Sequence, residues 1–156
     1  MAIDLFDIET DSELELSGTW VVMEKGKFID VPDPENPEKT IREKTPDARV
    51  KIARHLNDHH VIGMSKITDL FEGKDDKDIK VLQKKRVKAI ENEADTICMD
   101  IEGYMYKGEE LTNTKDNRIK VLNNRKQRNK IIMAAMEEET FLKSKIKEME
   151  DNLGES

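Results

Sequence analysis

The run Val87-Lys88-Ala89-Ile90-Glu91-Asn92-Glu93-Ala94-Asp95-Thr96-Ile97-Cys98-Met99-Asp100-Ile101-Glu102-Gly103 sets the helical period of this chain. Its apolar residues Val87, Ile90, Ala94, Ile97 and Ile101 step by 3, 4, 3 and 4, the spacing of a single stripe on one helix face. The pattern predicts a helix from about Lys77 to Glu102, closed by Gly103. An apolar stripe of this kind must be covered, so the rest of the chain is read for what covers it.

Upstream, all four prolines fall between Pro32 and Pro46, and none follows. Proline interrupts both helix and sheet ladders, so the chain divides into a turn-rich N-terminal third and a helical remainder. Leu14 to Met23 is rich in β-branched and aromatic residues, and Lys25-Gly26 forms a turn before Lys27 to Val31, which predicts a hairpin. Ala48 to Arg54 alternates small or apolar with basic residues and predicts a third strand, Val50 and Ile52 facing inward. Asn57 and Asp58 are N-cap types ahead of Met64, Ile67 and Phe71, a helix that Gly73 ends.

Beyond the central helix, Tyr104 to Thr114 reads as a loop or small β-turn around Lys107-Gly108. Thr114 caps a short helix to Leu122, and Asn123-Asn124 breaks it. A last helix from about Lys126 to Met149 places Ile131, Ala135, Leu142, Ile146 and Met149 on one side. The expectation is an α+β fold: a small N-terminal antiparallel sheet packed with a predominantly helical C-terminal two-thirds. Residues 1–12 read as an acidic flexible lead, 13–150 as one α+β domain (β-rich over 13–54, helical over 55–150), and 151–156 as a frayed tail. Val21, Val50, Ile52, Ile67, Ile90, Ala94, Ile97 and Ile101 are expected to be buried together.

Composition narrows the function. The 156 residues carry 27 basic and 34 acidic side chains, a net charge of −7, so one modest aliphatic core floats in a highly charged surface. No apolar run approaches the roughly 20 residues of a membrane span, and Met1 to Asp11 is acidic where a secretory signal is basic and then apolar. A cytosolic, soluble protein is expected. The single cysteine, Cys98, excludes an internal disulfide.

Candidate chemistry is sparse. His55 and His59 have the i, i+4 spacing of a metal clamp, with His60 beside them. No Glu follows the first His as in a zincin, and no third ligand is evident beyond Asp58; a solvated helix start is the preferred reading, and neither metal nor cofactor is expected. Cys98 lacks a nearby His or Cys and reads as core. No nucleophile elbow and no glycine-rich phosphate cradle is present, so no enzymatic role is expected. Lys115 to Lys130 holds seven bases against Asp116 alone, and Lys84, Lys85, Arg86 and Lys88 form a second cluster. Nucleic-acid binding, a face paired within the fold, and a contact for an acidic protein all fit such a stretch. The net negative charge and the lack of interleaved aromatics weigh against nucleic acid.

Met133, Met136 and Phe141 lie off the line of Ile131, Ala135, Leu142 and Ile146, and are the candidate partner-binding residues, with Trp20 in the β-hairpin as the next. Packing in the core is the competing reading of all three, and Ile3, Leu5, Phe6 and Ile8 in the acidic lead are also free to dock on something.

Gly18-Thr19-Trp20-Val21, then Ala48 to Arg54 followed by Asn57, then Ala94 to Gly103, the Gly108 turn, Leu111-Thr112, and Ala134-Ala135-Met136-Glu137 to Phe141 form an ordered series. In order and spacing it resembles the tail assembly chaperones of long-tailed bacteriophages, over nearly the whole chain. The resemblance implies a non-enzymatic factor acting in the host cytoplasm, which coats the tape-measure protein, keeps its long hydrophobic helices soluble and recruits tail-tube subunits. The alternative within the same setting is a structural component of the virion, a minor tail or neck protein.

Overall fold

The computed structural model of the chain describes residues 2–145. Two short helices open it, α1 (Leu5–Ile8) and α2 (Ser12–Ser17), capped by Asp4 and Asp11. Strands β1 (Thr19–Glu24), β2 (Phe28–Pro32), β3 (Thr40–Lys44) and β4 (Ala48–Ile52) follow, then helices α3 (Asp58–Leu70) and α4 (Ile79–Thr96). Strand β5 (Cys98–Glu102) and the small hairpin of β6 (Met105–Tyr106) and β7 (Glu109–Glu110) precede α5 (Lys115–Asn123), α6 (Arg125–Met136) and a 3-10 turn over Glu138–Phe141. This is the expected α+β layout, a small antiparallel sheet followed by helices.

The three-stranded sheet has the order β1-β4-β5, antiparallel throughout. The expected β1–β2 hairpin is therefore corrected: β2 pairs with β3 across residues 33–39, and the proline-rich segment is the loop of that separate arm. Neither β2 nor β3 buries a residue. Leu14 to Ser17, expected in the first strand, is helix α2; Asp11 accepts from the amides of Glu13 and Leu14 and starts it.

The long helix is the second correction. α4 stops at Thr96, and residues 98–102 join the sheet, Val50 opposite Ile101 and Ile52 opposite Cys98, with Met99 the extra residue of a bulge. Ile97 closes α4 as its C-cap residue and is fully buried, and the Met99 bulge offsets the strand alternation so that Cys98 and Ile101 share the inward face. Thr96 and Ile97 are β-branched and stiff, and the end of β4 supplies partners: Ala53 donates to the Ile97 carbonyl at 2.8 Å and Asn57 Nδ2 to that of Thr96 at 2.9 Å. Gly103, with φ +78°, ends the strand and not a helix.

The helices cover one face of this sheet. Val50, Ile52, Ile90, Ala94, Ile97 and Ile101 lie in one cluster with Val121, Leu122, Ile131, Ala135 and Phe141, and Val21 packs against it partly exposed. Ile67 departs from expectation: it is half-buried outside this cluster, in a cleft beside His60. Val87, expected on the buried stripe, is 56% exposed. Asn124 ends α5 and caps α6, accepting from the Gln127 amide at 3.1 Å, so the predicted break at 123–124 is a cap shared by two helices.

The predicted last helix is interrupted after Met136, and residues 143–145 are helical again. α6 ends at Met136, because Glu137, Glu138 and Glu139 place three carboxylates at the negative end of its dipole, and Thr140 Oγ1 donates to the Ala134 carbonyl at 2.9 Å. The turn that follows carries Leu142 into a bridge with Thr10, not onto a helical line. Asp11 donates to the Phe141 carbonyl at 2.8 Å and Lys143 to that of Glu9 at 2.9 Å. Residues 9–11, expected in a peripheral lead, thus belong to the folded unit. The expected positions of Ile146 and Met149 and the tail 151–156 lie outside the described residues.

Candidate partner-binding surfaces

α6 presents two faces because its residues advance 100° each. Ile131 and Ala135 are fully buried, while Met133 and Met136, on the other side, are 62% and 59% exposed. Phe141 is the correction among the candidate site residues: it is 0% exposed and part of the core cluster. A continuous helix leaves it off the buried line, but the break at Glu137 turns the chain back and drives its ring inward. Trp20 lies half-buried on the uncovered face of the sheet, where the Arg49 guanidinium stacks over its ring at 5.1 Å and also pairs with Glu102. The structure therefore keeps Met133 and Met136 available, covers Trp20 in part, and removes Phe141.

A second surface went unread in the sequence. Between the C-terminal end of α3 and the first half of α4 runs an open groove of about 520 Å³ whose apolar wall is Leu70, Phe71 and Val87. Lys74, Lys80, Lys84 and Lys88 form its rim, and among the described residues no acidic side chain lines it. Among the described residues Lys74, Lys80 and Lys84 have no acidic partner; Lys88 contacts Glu91 at 3.3 Å. The signal was present as the Lys84-Lys88 cluster, but only the packing of α3 on α4 shows that those bases flank apolar side chains. Gly63 permits that packing, since a Cβ there meets Asn92 Oδ1 at 1.8 Å, and Asn92 in turn donates to the His60 carbonyl at 3.2 Å.

The basic stretch 115–130 is largely turned to partners within the fold. Arg128 forms two bonds with Glu93 at 2.9 and 2.7 Å, Lys130 and Lys126 reach Glu24, Lys115 pairs with Asp95 at 2.7 Å, and Arg118 donates to the Ala94 carbonyl at 3.0 Å. The Lys130 bond, then that of Gln127, holds the Glu24 carboxyl down at about 2. Lys120 sits over the Tyr106 ring at 5.3 Å.

The histidines are not all at a solvated helix start. His60 is buried, its ring 4.9 Å from that of His55, and its Nδ1 accepts the Leu56 amide at 3.1 Å. No group of three His, Cys, Asp or Glu is arranged to hold a metal among the described residues. Burial pushes the Cys98 thiol up to about 12, which leaves it without thiolate character at neutral pH. Among the described residues no helix is long and apolar enough to cross a membrane. No protein-family model, curated protein or solved structure matches the chain.

Proposed function

We propose that this chain is a non-enzymatic assembly factor of long-tailed phages, a chaperone that holds the hydrophobic helices of a tape-measure protein in the host cytoplasm and recruits tail-tube subunits to it. The observation that carries the reading is the exposure of Met133 and Met136 on a helix whose opposite face is fully buried. Methionine is unbranched and polarisable, so a Met surface accommodates many similar but non-identical helical faces, as a long client with repeating apolar stripes requires. Glu137, Glu138 and Glu139 directly after this surface, and a net charge of −7, favour a complex that stays dispersed.

Co-expression with a phage tape-measure protein tests the reading. Met133→Asp with Met136→Asp is expected to leave the far-UV circular dichroism unchanged, since both side chains are exposed, and to shift the client from the soluble to the insoluble fraction. A client that remains soluble with the double variant removes α6 as the contact. Recovery of the chain at fixed stoichiometry in purified particles assigns it instead to the virion as a minor tail or neck protein.

A further inference from the structure

We propose that the lysine-rimmed groove between α3 and α4 receives the acidic apolar segment, residues 2–8, of a second copy of this chain. The two surfaces are complementary in both apolar character and charge. The segment carries Ile3, Leu5, Phe6 and Ile8, all exposed, with α1 burying none of its residues. Asp4 and Asp7 are interleaved with them, and no base lies in the first 15 residues. The groove answers with Leu70, Phe71 and Val87 between Lys74, Lys80 and Lys84, whose ammonium groups lack acidic partners among the described residues.

Such an arrangement covers the exposed Leu70 and Val87 beside the already buried Phe71 on one side and the four apolar side chains of the segment on the other. Several large apolar side chains close together, on a segment already shaped as a helical turn, form a compact anchor for a groove whose volume lies within the roughly 300–1,000 Å³ range of ligand pockets. Carboxylates and ammonium groups at the rim set orientation and oppose docking of a basic segment in the same place. Residues 9–11 are fastened to residues 141–143 by backbone bonds, so the segment leaves the body of the molecule from a fixed base, with its apolar residues beyond it. Because segment and groove are different patches, the contact is either a reciprocal exchange between two copies or a head-to-tail chain of them. The proposal goes beyond the client-holding reading and does not depend on it.

Sedimentation velocity of the full chain over a concentration series at low ionic strength is the test. Reversible self-association is expected, weakening as salt is raised because the rim charges become screened. Leu5→Asp with Phe6→Asp, and separately Lys80→Glu with Lys84→Glu, are each expected to weaken it at least about tenfold, with circular dichroism unchanged because all four side chains are at the surface. Asp4→Lys with Asp7→Lys added to the groove double variant is expected to restore association, and alone to weaken it. A parent chain that is monomeric up to about 100 μM overturns the proposal, and so does self-association that is unaffected by either double variant. Client solubilisation is scored on Met133 and Met136, so its failure and the failure of this contact are read from different variants.

Discussion

His60 shows how a single buried ring makes stability depend on pH. Burial first, and His55 beside it second, hold its pKa below the ordinary 6.5, while Glu93 pulls the other way. The neutral ring accepts the Leu56 amide through Nδ1, which helps hold Leu56 at its left-handed φ of +61°; protonation at Nδ1 removes that acceptor. With the folded pKa below the unfolded one, the unfolded chain takes up the proton first as pH falls. The stability is therefore present above about pH 6.5 and is lost as pH falls through that value toward the folded pKa. Urea midpoints are expected to fall from pH 7.5 to pH 5.5, with a slope from this residue of at most about 1.4 kcal/mol per pH unit. Of the charged groups around the ring, His55, Glu93 and Lys85 line the same cleft, and His60→Asn, which keeps an acceptor for the Leu56 amide, is expected to flatten the slope. Two glycines separate backbone strain from collision. At Gly103, φ is +78° and a Cβ meets the Asp47 carbonyl oxygen at 2.2 Å; at Gly108, φ is +84° and nothing lies within 4 Å. Gly108→Ala is expected to cost about 1 kcal/mol in chemical denaturation and Gly103→Ala about 3 kcal/mol or more, because there the backbone of β4's entry must also move.

Among the elements, α4 carries both the core and the groove along one stripe, the groove on its first half and the core on its second. Ile97 at its end is 0% exposed, and Val87 one turn before the buried section is 56% exposed. Ile97→Asp is expected to lower stability by several kcal/mol, about 3 to 5, because an unpaired carboxylate enters an apolar cluster. Val87→Asp is expected to stay within about 0.5 kcal/mol of the parent in the same denaturation experiment. The contrast checks directly that the 3-4 apolar spacing continues through α4 while its burial does not. α5 and α6 were readable as separate helices because Thr114 and Asn124 are cap types in the right places, and both do cap: Thr114 accepts from Asn117 at 3.1 Å, Asn124 from Gln127.

At the scale of the molecule, the charge pattern ties distant segments together. Glu93 on α4 is buried and held by the Arg128 fork from α6, whose guanidinium is held more firmly charged by that bond. Arg128→Met is expected to cost about 3 kcal/mol by thermal or chemical unfolding, since it strands a buried carboxylate. Adding Glu93→Met is expected to recover most of the loss, because removing both charges also removes the desolvation penalty. Arg54 makes a similar tie, reaching Glu15 at 3.0 Å and Glu138 at 3.4 Å, so α2, the exit of β4 and the 3-10 turn are held at one place. Lys143 with Glu9 at 2.8 Å extends it to the start of the chain.

Local chemistry determined much of this architecture without any tertiary information. The prolines kept the long helices to the later part of the chain, the alternation of Ala48 to Ile52 set Val50 and Ile52 inward, Asn57 marked a helix start, Asn123-Asn124 a helix break, and Lys107-Gly108 a turn, since each depends on backbone and side-chain preferences within a few residues. Tertiary structure decided what those preferences leave degenerate. Ile97 and Ile101 continue the helical spacing of α4, but the free edge of β4 drew residues 98–102 into the sheet, the Met99 bulge keeping Cys98 and Ile101 inward. The partner of β1 was settled by which strand offered a buried face, so β4 displaced the nearer β2. Phe141 became core because three glutamates ended α6 and the chain closed back on Thr10, while Val87 stayed outside because α3 shields only part of α4. The groove had no signature of its own, for its apolar wall and its lysine rim come from two helices that meet only in the folded chain.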